Sequence, residues 1–195
     1  LGVTAPRTYL IAACSQAELR SVGGFPGSTG LMTVTNGKIE IGDLEAPRLP
    51  YHSDSTEWFP LTDEERLLFG DHAAANFYDA SYIPDFPRAA EVMKFMWEKQ
   101  NPTIDGIISI DPIFLQRMLG VIGSVTTSQG VVVDGDNAAQ VLLHDVYVMY
   151  SEKTLADDPE AIQTAEKMQN DFFTEVAALA LNNFFSNFSK VGVVS

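Results

Sequence analysis

The stretch Ile104-Asp-Gly-Ile-Ile-Ser-Ile-Asp-Pro112 decides the fold class of this sequence. Its apolar, β-branched part is typical of a central strand of a sheet. Asp111 and Pro112 then favour the start of a helix, because aspartate accepts hydrogen bonds from first-turn amides and proline has a helical φ angle. Asp85-Phe-Pro-Arg88 carries the same signals for a preceding helix, with a broad apolar face over residues 89–97. A strand between helices predicts an α/β fold: a single layered domain with a central mixed sheet flanked by helices.

The sequence before this stretch predicts further strands and one helix. Arg7–Ala13 predicts a buried strand, and we expect a glycine-rich loop after it. Asn36-Gly37 predicts a hairpin with a type I′ turn between Leu31–Thr35 and Lys38–Ile41, because both turn residues tolerate a positive φ. Thr62-Asp-Glu-Glu65 has the capping-box form and predicts a helix to about Ala75. Residues 43–60 and 78–86 are expected to be irregular.

The C-terminal part of the sequence is predicted to be mainly helical. We expect the helix from Pro112 to end at Gly120, with short strands over residues 121–127 and 131–133. Further helices are predicted from Asp136 through Tyr150 and from Asp158 to about Ser189. Apolar residues recur at helical spacing in the last of these and are expected to be core rather than a cofactor site: Ile162, Ala165, Met168, Phe172, Phe173, Val176, Leu179, Ala180 and Phe184.

Length and charge narrow the classes of function. The chain has 195 residues, which suits one domain over 1–195, and its formal net charge of -14 argues against a nucleic-acid partner and against direct adhesion to anionic lipid. The single cysteine, Cys14, excludes an internal disulfide and is expected to be buried and inert. The chain begins at Leu1 and has no apolar run of membrane-spanning length, so we expect any anchor to lie upstream.

The first candidate site lies just after the first predicted strand. Ser15-Gln-Ala-Glu18-Leu-Arg20-Ser-Val-Gly23-Gly24-Phe25 combines paired glycines with an arginine at the edge where α/β folds place ligands. Gly23 and Gly24 permit close backbone approach, and the Arg20 guanidinium suits a phosphate or carboxylate. The alternative is that Glu18 and Arg20 form a surface ion pair beside a tight turn.

The second candidate site is Asp79-Ala-Ser-Tyr-Ile-Pro-Asp85-Phe-Pro-Arg88. A helix N-terminus with Arg88 in its first turn is suited to an anion. The alternative is that Asp85 is only a helix cap, which is the commoner role of aspartate at this position. The anion site and the cap are compatible if Mg²⁺, as a cofactor, bridges Asp85 or Asp79 to a phosphate oxygen.

Three segments resemble, in order, the bacterial domain of unknown function 4012. They are Ala17-Glu-Leu-Arg-Ser-Val-Gly-Gly-Phe-Pro-Gly-Ser28, Ile83-Pro-Asp-Phe-Pro-Arg-Ala-Ala90 and Ile104-Asp-Gly-Ile-Ile-Ser-Ile-Asp-Pro112. The resemblance extends from Arg7 to about Phe185. It implies an extracytoplasmic domain at the cell surface, anchored in the membrane by an upstream helix.

The layout is also similar, more distantly, to the LytR-CpsA-Psr family, which transfers glycopolymers from a polyprenyl pyrophosphate carrier to peptidoglycan. Arg20 before Leu31–Thr35 resembles that family's first arginine motif, whereas Ile39-Glu-Ile-Gly-Asp-Leu44 replaces its Ser-Ile-Pro-Arg-Asp motif. The resemblance implies a partner that is a polyprenyl phosphate-linked glycan or a cell-wall polymer. The alternative is a non-catalytic envelope interaction or scaffold module.

The roles that follow from this resemblance can be assigned to individual residues. Arg20 and Arg88 would neutralise phosphate charge, and Glu18, Asp85 or Asp79 would hold Mg²⁺ or act as a general base. The ligand would also contact three small residues of the first motif: Gly23, Gly24 and Ser28.

Overall fold

A four-stranded mixed sheet forms the centre of the protein. The computed structural model describes residues 2, 4–47, 49, 54, 58–151 and 158–188. Residues 187 and 188 are described by their backbone only. The sheet comprises β1 (Arg7–Ser15), β2 (Phe25–Thr35), β3 (Lys38–Ile41) and β4 (Gly106–Ile110), in the order β3-β2-β1-β4. β1 is parallel to β4 and antiparallel to β2, which in turn is antiparallel to β3. The predicted α/β class and mixed sheet are therefore confirmed.

The expectation of a glycine-rich loop before β2 is only partly correct. The loop ends at Gly24, and residues 25–30 already form a strand that pairs with the end of β1. A register shift between Ala13 and Cys14 accommodates the extra residue of β2. A Cβ on Gly30 would lie only 3.0 Å from the Asp43 carbonyl oxygen, so glycine allows the segment after β3 to pack against β2. Gly27 and Gly30 thus lie within the sheet, whereas Gly23 and Gly24 lie in the loop.

The hairpin between β2 and β3 has the predicted turn. Thr35 pairs with Lys38, and the two residues between them have positive φ angles, 50° at Asn36 and 80° at Gly37. This is the conformation of a type I′ turn, whose twist matches that of the adjoining strands.

β4 occupies an edge rather than the predicted centre of the sheet. Within the described residues it pairs with β1 alone, in parallel, from Tyr9 opposite Gly106 to Ala13 opposite Ile110. Its side chains are half-buried apart from Ile110, which is 4 % exposed. The apolar run therefore reflects packing on both faces of the sheet, which does not depend on a strand's place in the strand order.

Helices cover both faces of the sheet. They are α1 (Asp63–Phe69), α2 (His72–Ala75), α3 (Phe86–Glu98), α4 (Pro112–Ile122), α5 (Ala138–Gln140), α6 (Val146–Met149) and α7 (Pro159–Phe188). A 3₁₀ turn covers Asp79–Tyr82, where an irregular segment was expected. A π-helical turn, Val141–Asp145, joins α5 to α6 and makes the predicted Asp136–Tyr150 helix nearly continuous. Two short strands, β5 (Val125–Thr126) and β6 (Val132–Val133), form a separate pair.

Two predicted element boundaries are wrong because glycines act differently from expectation. The helix expected from Thr62 to Ala75 is divided at Gly70, whose φ is 74°. Gly120 does not end α4, which continues to Ile122 and stops at Gly123 with φ 87°. A Cβ on Gly135 would lie 2.4 Å from the Gly120 Cα, so Gly120 provides a close approach of two backbones. The capping box of Thr62 and Glu65 and the aspartate caps of α3 and α4 are confirmed.

A hydrophobic cluster lies on each face of the sheet. Ile11 and Ala13 belong to the cluster with α4 and α7, whereas Leu10 belongs to the cluster with α3. The predicted core stripe of α7 is confirmed, with Ala165, Val176 and Ala180 each 0 % exposed.

Cys14 is 2 % exposed, and its burial raises the pKa of the thiol. None of the described helices combines the length and hydropathy needed to span a membrane. Much of the 43–60 segment lies outside the described residues.

Candidate functional site

The loop between β1 and β2 is closed by backbone hydrogen bonds. The amide of Gly23 donates to the Arg20 carbonyl at 3.2 Å, and the amide of Phe25 donates to the Glu18 carbonyl at 3.1 Å. Gly24 has a φ of 127°, and a Cβ there would lie 2.3 Å from the Ser15 carbonyl oxygen. Only glycine therefore fits where the loop returns to β1. Gly23 has a φ of 104°, but a Cβ there would meet open space. Glycine is therefore favoured at this position only by the backbone conformation.

Arg20 is held in this loop by aromatic rings rather than by a carboxylate. Its guanidinium carbon lies 4.6 Å from the centroid of the Tyr82 ring and 5.3 Å from that of Phe25. Phe25 stacks in turn on Tyr78 at 5.1 Å. We call Phe25, Tyr78 and Tyr82 the aromatic cluster. Contacts of a guanidinium with ring faces are attractive, so the cluster fixes the position of the arginine without cancelling its charge.

The hydrogen bonds of Arg20 are incomplete within the described residues. Nη1 donates to the carbonyl oxygen of the adjacent Leu19 at 3.1 Å, whereas the buried Nε has no acceptor. Among the described residues, no carboxylate lies within ion-pair distance of Arg20, so the surface ion pair with Glu18 is not formed. An unsatisfied buried N–H is costly, and the cation remains available to an anion.

The structure brings the two predicted motifs together. The amide of Val22 donates to the Ser81 carbonyl at 3.3 Å, and Tyr82 packs on Arg20. Asp79 is half-buried at the start of the same 3₁₀ turn. The contact is thus made through residues 79–82, and not through the helix start at Asp85.

Asp85 and Arg88 have structural partners. An Asp85 carboxylate oxygen accepts a hydrogen bond from the Arg88 amide at 3.3 Å and caps α3. The Arg88 guanidinium donates to both carboxylate oxygens of Glu65, at 2.7 and 2.9 Å, and to Glu91 at 2.8 Å. It also lies 4.7 Å from the Phe59 ring centroid. A phosphate at Arg88 would therefore have to displace two carboxylates.

The electrostatics of this second group differ from those around Arg20. The Arg88 guanidinium lowers the pKa of Glu65 to about 2, and hydrogen bonds from Thr62 act in the same direction. The two carboxylates raise the pKa of Arg88 further above its ordinary value. Glu65, Glu91 and Arg88 therefore form a charged network that ties α1 to α3.

The remaining predicted site residues are dispersed. Ser28 is 1 % exposed, and its hydroxyl hydrogen-bonds to that of Thr174 in α7. It lies on the face of the sheet that is covered by α7. Glu18 is exposed in the loop. In the described part of the chain, no group of three or more His, Cys, Asp or Glu side chains is arranged to hold a metal ion.

Comparison with known proteins assigns the chain to a family. The model of the family described as protein of unknown function DUF4012 matches residues 4–147. The chain belongs to the DUF4012 family. No curated protein matches it. The match contains all three segments that carried the resemblance in the sequence, and it ends at residue 147 rather than near Phe185.

Sequence reasoning missed several polar contacts of this DUF4012 domain. The Gln16 side-chain amide donates to the Asp111 carboxylate at 3.1 Å, and the Ser15 and Tyr147 hydroxyls lie 3.2 Å apart. These contacts join the end of β1 to the start of α4 and to α6. Tyr82 and Phe25 lie inside the two motifs, but nothing in the local pattern indicates that they meet at Arg20.

Proposed function

We propose that this domain binds a phosphate-bearing ligand of the bacterial cell envelope through Arg20. The proposed ligand is a polyprenyl-(pyro)phosphate-linked glycan, and the proposed location is extracytoplasmic, with a membrane anchor upstream in the full-length protein. The resemblance to the LytR-CpsA-Psr family motivates the ligand class. The single observation that carries the binding site is an arginine that is positioned by aromatic rings and has no carboxylate partner in the described part of the chain.

The other arginines support this choice by contrast. Arg7, Arg66 and Arg88 each form an ion pair with a carboxylate. Among the described arginines only Arg20 and Arg117 have none, and Arg117 is exposed on α4 without an aromatic contact. Because the chain has a net charge of -14, an unpaired cation in a fixed position is the feature best suited to an anionic group.

The geometry favours binding over transfer. Asp85 already caps α3, and Arg88 is already paired with two carboxylates, so the predicted catalytic set is not gathered around one point. This arrangement supports the alternative of a non-catalytic interaction module for the second motif. The proposed activity is therefore ligand binding, with Arg20 as the contact to phosphate.

Magnesium fits this site poorly. Hard cations are held by several oxygen ligands, whereas within the described residues Asp79 and Asp85 belong to no group of three or more candidate ligands. The Asp85 carboxylate also accepts a capping hydrogen bond. The proposed contact between Arg20 and phosphate therefore requires no metal ion.

Thermal unfolding of the 195-residue chain tests this proposal. Inorganic pyrophosphate and geranyl pyrophosphate are the probes, each with and without Mg²⁺. A ligand at a hundredfold excess over its dissociation constant stabilises the folded state by about 2.7 kcal/mol. We expect this stabilisation in the wild type and its loss in Arg20→Gln, without dependence on Mg²⁺.

Arg117→Gln is the matched control, because it removes the other described arginine for which the described residues provide no carboxylate partner. It should keep the full ligand-induced shift. An absent shift in the wild type, or an equal loss in both variants, contradicts binding at Arg20.

A further inference from the structure

The carboxyl ends of β1 and β4 lie at the same end of the sheet, which we call the carboxyl edge. Because the two strands are parallel, the loop after β1 and the first turn of α4 begin at the same edge. The hydrogen bond from Gln16 to Asp111 joins these two segments directly. Tyr82 reaches the same loop through its contact with Arg20.

Four large hydrophobic side chains are exposed at this edge. Leu19 in the loop is 83 % exposed, Tyr82 is 44 % exposed, and Ile113 and Phe114 in the first turn of α4 are 41 % and 45 % exposed. We call these four residues the apolar rim. A protein surface that groups such side chains in one region usually meets an apolar partner there.

The position of Arg20 indicates the chemistry of that partner. Arg20 follows Leu19 in the loop, packs on Tyr82, and has no carboxylate partner among the described residues. Aromatic and aliphatic side chains beside an arginine are suited to the zone where lipid tails meet phosphate headgroups. Guanidinium groups donate hydrogen bonds that match phosphate oxygens.

Another exposed pair of leucines lacks this combination. Leu67 and Leu68 in α1 are 87 % and 73 % exposed. The first turn of α1 is acidic, and its one arginine, Arg66, pairs with Asp71. The arginine beside these leucines is therefore already paired, whereas Arg20 beside the apolar rim has no carboxylate partner among the described residues.

We propose that the apolar rim docks onto the headgroup region of a phospholipid bilayer, with Leu19 and Phe114 inserted and Arg20 bound to lipid phosphate. The net charge of -14 selects a zwitterionic surface over an anionic one. The role of Arg20 rests on the function proposed above, whereas the insertion of Leu19 and Phe114 does not. Docking would place the phosphate site at the surface where a lipid-linked ligand is presented.

Co-sedimentation of the 195-residue chain with phosphatidylcholine vesicles tests the docking. We expect the wild type to partition onto the vesicles. Leu19→Ala and Phe114→Ala should each lower the partition coefficient about tenfold, because each removes a large side chain from the apolar phase. Leu67→Ala removes an equally exposed leucine and should leave partitioning unchanged. Thermal unfolding of each variant verifies that it is folded.

The possible outcomes separate this proposal from the preceding one. Absence of the wild type from the vesicle pellet, or equal partitioning of Leu19→Ala and wild type, overturns the docking. An equal loss in Leu67→Ala overturns it too, since adhesion would then be non-specific. Pyrophosphate binding without vesicle binding refutes only the docking, and vesicle binding without pyrophosphate binding refutes only the phosphate site. Rim-dependent binding to another protein with no vesicle binding would assign the rim to a protein partner instead.

Discussion

The guanidinium of Arg20 lies 4.6 Å from the ring centroid of Tyr82, a residue of the other conspicuous sequence motif. This contact joins the loop after β1 to the 3₁₀ turn at Asp79–Tyr82. It also explains how Arg20, whose buried Nε has no acceptor among the residues that the structure describes, keeps a fixed position. The aromatic ring contributes attraction while leaving the charge uncompensated.

Replacement of Tyr82 should weaken binding of pyrophosphate by releasing Arg20. A cation–π contact at a partly exposed site contributes about 0.5–1 kcal/mol, so Tyr82→Ala should lower affinity roughly two- to fivefold. Tyr82→Phe keeps the ring face and should bind nearly as the wild type does. Isothermal titration calorimetry measures both. Equal affinities for Tyr82→Ala and wild type would show that the ring does not position the arginine.

The ion pair between Glu65 and Arg88 should contribute to stability in a pH-dependent manner. Hydrogen bonds between charged groups are worth about 1.5–3 kcal/mol, so Glu65→Gln should destabilise the protein by roughly that amount at pH 7. The folded-state pKa of Glu65 is about 2, below its ordinary value of 4.5. The stabilisation is therefore fully present above pH 4.5 and declines as the pH falls toward 2.

Urea unfolding at pH 7 and pH 3 measures this difference. The gap between wild type and Glu65→Gln should narrow at the lower pH. Glu64→Gln, a neighbouring exposed carboxylate in the same helical turn, serves as the control and should change stability little at either pH. A gap that stays constant between the two pH values would contradict a role for the Glu65 charge.

The paired glycines of the first motif should differ in their tolerance of alanine. Both have positive φ angles, but only at Gly24 would a Cβ meet backbone atoms, 2.3 Å from the Ser15 carbonyl oxygen. We expect Gly23→Ala to cost about 1–2 kcal/mol through backbone strain alone. Gly24→Ala should cost distinctly more, because the loop must move away from β1. Equilibrium unfolding of both variants gives the order, and an equal cost would argue against the close approach.

Local signals in the sequence predicted most helices, strands and caps, whereas they did not indicate contacts between residues that are distant in the chain. The capping box at Thr62, the cap at Asp85 and the Asn36-Gly37 turn each depend on residues within a few positions of one another. One of the two carboxylate partners of Arg88 is Glu65, 23 positions away, and no local pattern indicates it.

The same distinction applies to the candidate site. Arg20 and the glycines were recognisable because the chemistry of each residue is evident by itself. The aromatic cluster depends on tertiary packing between the loop and residues 78–82, which the sequence does not specify locally. The edge position of β4 likewise depends on strand order and not on the composition of the strand.

Because α4 closely approaches Gly135, alanine substitutions at Gly120 and at Gly135 should have unequal effects on stability. A Cβ on Gly120 would lie 3.8 Å from the Gly135 Cα, an ordinary contact, whereas a Cβ on Gly135 would lie 2.4 Å from the Gly120 Cα. Gly120 lies inside α4, where alanine is favoured over glycine by about 1 kcal/mol, so Gly120→Ala should be neutral or stabilising by up to that amount. Gly135→Ala should destabilise by about 1–3 kcal/mol, because the segment before α5 must move away from α4. Thermal and urea unfolding of both variants measure the difference, and destabilisation by Gly120→Ala comparable to that by Gly135→Ala would refute the asymmetry.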